Sequence, residues 1–230
     1  MFIVSLKTEA AGVCVAEATC AAKATCANAV CRIELSDGSL FSFRTCYLPP
    51  EIIETYITSP PIIEGSKISA EEETAFRHAS ACLRAEKTAL RLIARAEQCI
   101  SGLRRKLEKR GHKPTCVSAV IDRLCALSLL DDSRFARLWL ESRLRLTRTP
   151  RRLFAALNAK GIDREDAQAA LKDVLDDETE YALLSRFVKK QMRKSRNQND
   201  DDRRALKFLL KAEGFSFAAL ERFAEEQDTQ

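Results

Sequence analysis

Arginine is concentrated in one short stretch of the chain, residues 129–153, which read LLDDSRFARLWLESRLRLTRTPRRL. The guanidinium group is planar, always charged and able to donate paired hydrogen bonds, which suit phosphate and carboxylate groups. Residues 134–164 carry nine Lys or Arg against two Asp or Glu, a net charge of +7. Pairing along a helix cannot neutralise this charge, so the sequence predicts a surface that binds an anionic partner.

These arginines are predicted to lie on two successive helices. The first is predicted over residues 132–147, with Asp131 as its N-cap. Some of its arginines share one arc at about 100° per residue, and this arc is predicted to face solvent. They are Arg134, Arg137, Arg145 and Arg148. The second helix is predicted to begin at Pro150, and Arg151 and Arg152 fall in its first turn, where the helix dipole disfavours cations.

The other side of the first predicted helix is apolar. Its predicted core-facing stripe comprises Phe135, Trp139, Ser142 and Leu146. Trp139 is interpreted as a core residue, against the alternative of a platform on which bases stack. Arg143 points away from the basic arc, and the favoured interpretation is an ion pair with an acid of another helix, such as Asp122 or Asp131.

Two further blocks of the chain are equally basic. Residues 84–113 and residues 186–211 each carry ten Lys or Arg against three Asp or Glu, whereas residues 1–80 carry six against ten. Cations outside the two helix faces also belong to the predicted partner-binding or DNA-binding set. These additional candidates are Arg104, Arg105, Lys109 and Lys160.

The sequence offers little for catalysis. Its two histidines, His78 and His112, lie in different predicted elements, and the chain has no P-loop glycine motif and no HExxH zinc motif. No catalytic residue and no cofactor is therefore predicted.

The cysteines do not predict a metal site. Among nine cysteines, Cys14, Cys20, Cys26 and Cys31 are six, six and five residues apart. Structural zinc sites usually place about two to four residues between paired cysteines. The start of the chain lacks a signal-peptide pattern, and no apolar run reaches the roughly 18 residues of a membrane span. Reduced thiols, a cytoplasmic location and no membrane partner are expected.

The first 48 residues predict a small β segment. The run RIELSDGSLFSF indicates a hairpin. A three-residue loop at 36–38, rather than a two-residue loop, sets Ile33 opposite Phe41 and Cys31 opposite Phe43. This register places the apolar residues on one face and a glycine at the left-handed position of the turn, so it is the predicted one.

From about residue 71 the pattern is helical and repeats at intervals of about 50 residues. Three sets of residues mark the repeat: Leu103, Leu107 and Gly111; Leu153, Leu157 and Gly161; Leu206, Leu210 and Gly214. In each set the leucines share a helix face, and the glycine is predicted to end the helix in the left-handed conformation. A further helix follows each glycine, with Asp163 and Ser216 as predicted caps and a start at Lys113 or Thr115 in the first copy.

The predicted fold is mainly α, with three tandem three-helix repeat units preceded by a small N-terminal β segment. The first helix of each unit is predicted at about 74–98, 132–147 and 179–195. The predicted boundaries are 1–48 for the β segment with its Ala/Cys-rich insert, 49–70 for a connector with a short helix, and 71–128, 129–177 and 178–230 for the three repeats.

Two stretches, ALRLIARAEQCISGLRRKLEKRG and VSAVIDRLCALSLLDDSRFARLWLESRLRLTRTPRRLFAALNAKGID, closely resemble the RecX family of RecA regulators. The matching motifs are LLDDSRFA at 129–136, SRLR at 142–145, PRR at 150–152 and KGI at 160–162. The resemblance covers roughly residues 71–226. Cys99 and Gly102 depart from it, because they stand where the family often has a Ser cap and a Glu. Residues 9–29 have no recognised counterpart.

The resemblance implies a non-enzymatic regulator of homologous recombination, in DNA repair and the SOS response. It implies an elongated, curved domain of three repeat units that binds the groove of the RecA–DNA filament and limits its growth, ATP turnover and strand exchange. The expected partner is the RecA nucleoprotein filament, with direct DNA contacts left open, and the expected state is a monomer. The alternatives are a stand-alone helical DNA-binding module and a metal- or thiol-based redox sensor built on the N-terminal cysteines.

Overall fold

The structure, a computed structural model, describes residues 2–9, 30–55, 65–146, 148–193 and 200–228. The predicted Ala/Cys-rich insert, with Cys14, Cys20 and Cys26, lies outside the described residues. The chain divides into two compact units. The first comprises Met1–Ala96 with Leu103–Leu129, and the second comprises Glu97–Gly102 with Leu130–Gln230. In the described part of the chain, no helix is both long enough and apolar enough to cross a membrane.

The first unit contains an antiparallel sheet in the order β1-β2-β3. Its strands are β1 (Ile3–Glu9), β2 (Val30–Leu35) and β3 (Leu40–Arg44). Ile33 pairs with Phe41 and Cys31 pairs with Phe43, so the predicted register is confirmed. Gly38 has a φ of +81°, the left-handed conformation that the three-residue loop requires.

The helices follow the sheet as three successive groups of three. A 3-10 turn (Thr45–Tyr47) and a short helix, α1 (Pro50–Ile53), come first. The repeats then comprise α2 (Ala70–Ile93), α3 (Ile100–Glu108) and α4 (Pro114–Ala126); α5 (Asp132–Arg143), α6 (Pro150–Asn158) and α7 (Arg164–Val174); and α8 (Asp177–Met192), α9 (Asp200–Ala212) and α10 (Phe217–Asp228). The predicted mainly α fold with three-helix repeats is confirmed.

Several predicted helix ends need correction. Helix α2 begins four residues earlier than predicted, because Ser69 and Glu72 form a capping box: the Ser69 side chain accepts a hydrogen bond from the Glu72 amide, and the Glu72 carboxylate accepts one from the Ser69 amide. Helix α4 begins at Pro114 with Lys113 at its N-cap, so the predicted cap position is confirmed and the alternative start at Thr115 is wrong. Helix α5 ends at Arg143 and not at residue 147, so the residues that follow leave the predicted basic arc.

The second helix of each repeat ends in the same way. Gly111, Gly161 and Gly214 have φ angles of +82°, +83° and +86°. The residue after each glycine donates its amide to the carbonyl of a leucine five residues earlier: His112 to Leu107 at 3.3 Å, Ile162 to Leu157 at 3.2 Å, and Phe215 to Leu210 at 3.3 Å. These are the bonds of a Schellman motif, and they confirm the predicted glycine caps. The caps predicted for the next helices, Asp163 and Ser216, accept amide hydrogen bonds from Glu165 and Ala219.

Replacing glycine by alanine at two equivalent helix caps should lower the free energy of unfolding by different amounts. A Cβ at Gly161 would lie 2.6 Å from Cβ and Oγ of Ser101, whereas a Cβ at Gly111 would meet nothing within 4 Å. Gly111→Ala therefore carries only the cost of a left-handed alanine, about 1 kcal/mol. Gly161→Ala adds overpacking and should cost about 2–4 kcal/mol of unfolding free energy in urea titrations. Equal losses of unfolding free energy in the two variants would show that Ser101 moves away from the new Cβ without an energetic cost.

The sheet and the first three-helix repeat share one core. The rings of Phe43 on β3 and Phe76 on α2 lie 5.3 Å apart, and both side chains are buried. Strand β2 contributes Cys31, Ile33 and Leu35 to the buried face. The alternation of buried and exposed residues along β2 explains why the apolar pattern determined the register.

A buried carboxylate on α2 joins this sheet to the helices. Glu86 is only 2% exposed. Its carboxylate accepts hydrogen bonds from Arg44 Nε at 2.9 and 3.0 Å and from the Tyr47 hydroxyl at 3.1 Å, and Arg123 Nε lies 3.6 Å away. Burial and the charge of Glu86 raise the pKa of Tyr47, which keeps its hydroxyl protonated as a donor.

The core face of α5 differs from the predicted stripe. Ala136 and Leu140 are fully buried, while Phe135 and Trp139 pack against the core and are only partly buried. Leu146 is 43% exposed, because it lies beyond the end of the helix and cannot continue its stripe. The small side chain of Ala136 lies on the buried face. The predicted stripe relied mainly on large apolar residues and therefore omitted it.

Candidate partner-binding surface

The ten cations predicted to bind a partner are divided between the two units. Those in the first unit are Arg104, Arg105 and Lys109. Those in the second unit are Arg134, Arg137, Arg145, Arg148, Arg151, Arg152 and Lys160. Each unit is described by itself below.

In the first unit, two of the three cations face solvent. Arg105 and Lys109 are exposed, and neither side chain has an ion-pair or hydrogen-bond partner among the described residues. Arg104 is half-buried and donates a hydrogen bond from Nη1 to the Ser118 hydroxyl of α4 at 2.9 Å. Arg104 therefore connects α3 to α4 instead of pointing away from the unit.

In the second unit, Arg134 has an ion-pair partner inside the protein. Its Nε and Nη2 atoms both lie 2.8 Å from Oε1 of Glu97, and its side chain is 37% exposed. Glu97 stands 37 residues earlier in the chain, and no local pattern reveals the pair. The Arg134 side chain keeps part of its surface in solvent, but this ion pair draws the guanidinium towards the segment that precedes α3.

Three other cations of the second unit remain available to a partner. Arg137, Arg145 and Arg148 are exposed. None of their side chains has an ion-pair or hydrogen-bond partner in the described ranges. Arg145 and Arg148 lie in the turn after α5, where the Arg148 amide donates to the Leu146 carbonyl at 2.7 Å. The exposed guanidinium groups of these three residues can form charged hydrogen bonds to an external anion.

Arg151 and Arg152 have internal partners that the sequence did not predict. Arg151 donates from Nη1 to the Ala212 carbonyl at 3.2 Å, and its amide donates to the Glu213 carbonyl at 3.0 Å. Arg152 Nε lies 3.7 Å from the Glu213 carboxylate, which also accepts a hydrogen bond from the Thr149 hydroxyl. The negative C-terminal end of α9 thus offsets the unfavourable placement of two cations in the first turn of α6.

Trp139 lies between two cations. The Lys160 ammonium is 5.4 Å from the Trp139 ring centroid and 5.9 Å from that of Phe135. The guanidinium carbon of Arg143 is 5.6 Å from the Trp139 centroid. These are cation–π contacts, and they agree with Trp139 as a residue that packs against the core of this unit.

The ion pair predicted for Arg143 is wrong. Arg143 contacts Trp139 instead, and its Nε atom is buried and lacks a hydrogen-bond partner in the described part of the chain. Asp131, one of the acids suggested for it, caps α5 by accepting amide hydrogen bonds from Arg134 and Ser133. The bond from the Arg134 amide first, and then the bond that the Ser133 hydroxyl donates, hold the pKa of Asp131 below its usual value.

The chain resembles known proteins most clearly across this same segment. The family model described as RecX, second three-helix domain, matches residues 131–171, which contain α5, α6 and most of α7. The regulatory protein RecX of Treponema pallidum (strain Nichols) is 35% identical over 131 residues, which cover 56% of this chain and 80% of that protein. The chain belongs to the RecX family. The RecX of Mycobacterium avium (strain 104) is 32% identical over 130 residues, which cover 55% of this chain and 75% of that relative.

Solved RecX structures share the fold. A crystal structure of regulatory protein RecX superposes with a TM-score of 0.67 at 18% identity, and the match covers 97% of this chain and 98% of that one. RecX from Lactobacillus salivarius superposes with a TM-score of 0.54 at 20% identity, over 66% of this chain and 99% of that one. All seven candidate cations of the second unit fall inside the segment that matches the RecX family model.

Proposed function

We propose that this RecX-family chain binds RecA–DNA filaments and inhibits RecA, as a regulator and not as an enzyme. Its relatives are named regulatory proteins, and its sequence resembles a family of RecA regulators. A RecA filament on DNA offers phosphates and acidic side chains over a long surface. A helical repeat protein can contact such a surface at several points along its length.

The observation that carries the proposal is the set of exposed cations without internal partners. Arg137, Arg145 and Arg148 in the second unit make no ion pair among the described residues, although Glu97 and Glu213 neutralise neighbouring arginines. A cation already paired inside the protein would have to break that pair before it bound a phosphate. The unpaired arginines avoid this cost, and their contacts should weaken as salt concentration rises.

RecA-dependent ATP hydrolysis on single-stranded DNA tests the proposal. Titration with the protein is expected to lower the hydrolysis rate in a dose-dependent and salt-sensitive way. The protein alone, with ATP and DNA, is expected to hydrolyse no ATP. Binding to naked single-stranded DNA, measured by fluorescence anisotropy, serves as the comparison.

The same assays distinguish the proposed function from the main alternative, a stand-alone DNA-binding module. A stand-alone DNA-binding module would bind naked DNA as tightly as the RecA filament, and it would lower ATP hydrolysis only by competing for DNA. Excess DNA would then restore the rate. Unchanged ATP hydrolysis at saturating concentrations of the protein would contradict the proposed function.

A further inference from the structure

Three potential metal ligands meet between two helices of the first unit. His78 and Cys82 are four residues apart on α2, so they share one helix face. Cys116 lies in the first turn of α4. One ligand atom from each residue, an imidazole nitrogen or a thiol sulfur, lies within 4.8 Å of the other two. The sequence does not reveal this cluster, because Cys116 is 34 residues away from Cys82.

The spacing of these atoms approaches that of a tetrahedral site. Cys82 Sγ lies 3.8 Å from Nδ1 of His78 and 3.9 Å from Nε2. Zinc bonds of about 2.3 Å to sulfur and about 2.0 Å to nitrogen place tetrahedral ligand atoms about 3.5–3.8 Å apart. Small side-chain rotations would therefore bring all three ligands to one ion.

The surroundings of His78 also fit a metal ligand. Its Nε2 atom lies 3.4 Å from the Thr115 hydroxyl, and the described residues offer its ring nitrogens only this long contact and the thiol of Cys82. Coordination through Nδ1 would leave Nε2–H to donate to Thr115. A ligating histidine usually makes such a second hydrogen bond, which fixes its tautomer and orientation.

An open surface pocket reaches the His78 side of the cluster. His78 lines this pocket together with Cys46, Glu71 and other residues of the 3-10 turn and α2. An ion could enter through the pocket, and a water molecule from it could occupy the fourth coordination position. Cys82 and Cys116 lie behind His78 and are fully buried.

We propose that His78, Cys82 and Cys116 form a binding site for a thiophilic divalent cation of the Zn²⁺ class, which links α2 to α4. Two thiolates and one imidazole are a donor set that zinc accepts with a water as fourth ligand. On binding, each thiol gives up its proton to solvent and forms a bond to the ion, with no change in oxidation state. The ion would cross-link two helices of the first unit and would keep one coordination position open to water.

A redox role for the same thiols fits less well. Cys82 and Cys116 are both buried, so peroxide would reach their thiols only slowly. A coordinating cation, by contrast, displaces the thiol proton directly.

Cobalt substitution tests the site in the untagged, full-length, reduced protein. Co²⁺ is expected to bind with thiolate-to-cobalt charge-transfer bands and the visible bands of a tetrahedral complex, and Zn²⁺ should abolish both. Cys82→Ala and Cys116→Ala should lose the bands. His78→Ala, which changes a partly exposed side chain, should fold normally and bind at least about 100-fold more weakly.

Two controls address the other cysteines. Cys125→Ser on α4 and the triple variant Cys14→Ser/Cys20→Ser/Cys26→Ser should both bind Co²⁺ like the wild type. Helix content by circular dichroism checks the fold of every variant. Zn²⁺ should raise the melting temperature of the wild type but not that of folded His78→Ala.

Absence of Co²⁺ bands in the wild type, or bands that survive in Cys82→Ala and Cys116→Ala, would overturn the site. So would loss of the bands in the N-terminal triple variant, or a Cys82–Cys116 disulfide that forms in air while the reduced protein takes up no Co²⁺.

Discussion

Replacing Arg145 and Arg148 by alanine is expected to weaken the proposed binding to RecA–DNA filaments about 100-fold while the melting temperature stays nearly unchanged. Both side chains are exposed and lack internal partners among the described residues, so the fold loses little without them. Each charged hydrogen bond to a phosphate or carboxylate contributes about 1.5–3 kcal/mol, so the loss of two such bonds amounts to about 100-fold or more. The slope of affinity against salt concentration should also decrease.

A matched variant controls for net charge. Arg164 and Lys172 on α7 are also exposed cations of the second unit, and Arg164→Ala/Lys172→Ala removes the same total charge. This control should retain most of its affinity for the filament and most of its inhibition of ATP hydrolysis. Equal weakening by the two double variants would mean that net charge alone, and no particular surface, determines binding.

The largest effect on stability is expected from Glu86→Ala. This carboxylate is buried with Arg44, Tyr47 and Arg123 around it, and its removal leaves two arginines without their shared counter-charge. Removing one partner of a buried ionic group typically costs about 3–5 kcal/mol. Urea unfolding should show a loss of that size, and both the sheet and the first repeat should be affected.

The same substitution at an exposed pair provides the comparison. Glu73 pairs with Arg77 along the same helix, where the Glu73 and Arg77 side chains are 22% and 63% exposed. Glu73→Ala should cost no more than about 1 kcal/mol, since exposed ion pairs contribute little. If Glu86→Ala costs as little as Glu73→Ala, the buried network does not hold the sheet against α2.

Local patterns predicted the fold because its signals are local. The hairpin register follows from apolar residues two apart on β2 and β3, and the three glycine caps follow from leucines four apart. The family model matches a contiguous segment, residues 131–171. Periodicity and capping chemistry can be read over short distances, so these features needed no knowledge of tertiary contacts.

The candidate surface could be predicted only in part, because contacts between distant residues decide which cations have partners inside the protein. Arg134 meets Glu97 and Arg152 meets Glu213, and neither acid is a helical neighbour of its partner. Arg143 was assigned an acidic partner, yet its nearest described partner is an aromatic ring. The helix end at Arg143, four residues before the predicted end, also moved Arg145 and Arg148 off the arc. No local pattern of a few residues reveals these contacts or this helix end.

The position of Trp139 gives the protein an intrinsic optical reporter. It is the single tryptophan of the chain, and it packs in the second unit with Arg143 and Lys160 beside its ring. Indole emission therefore follows the second unit alone, whereas far-ultraviolet circular dichroism averages over the helices of both units. Coincident unfolding midpoints from the two signals would mean that the units unfold together. Separate midpoints would mean that each unit unfolds independently of the other.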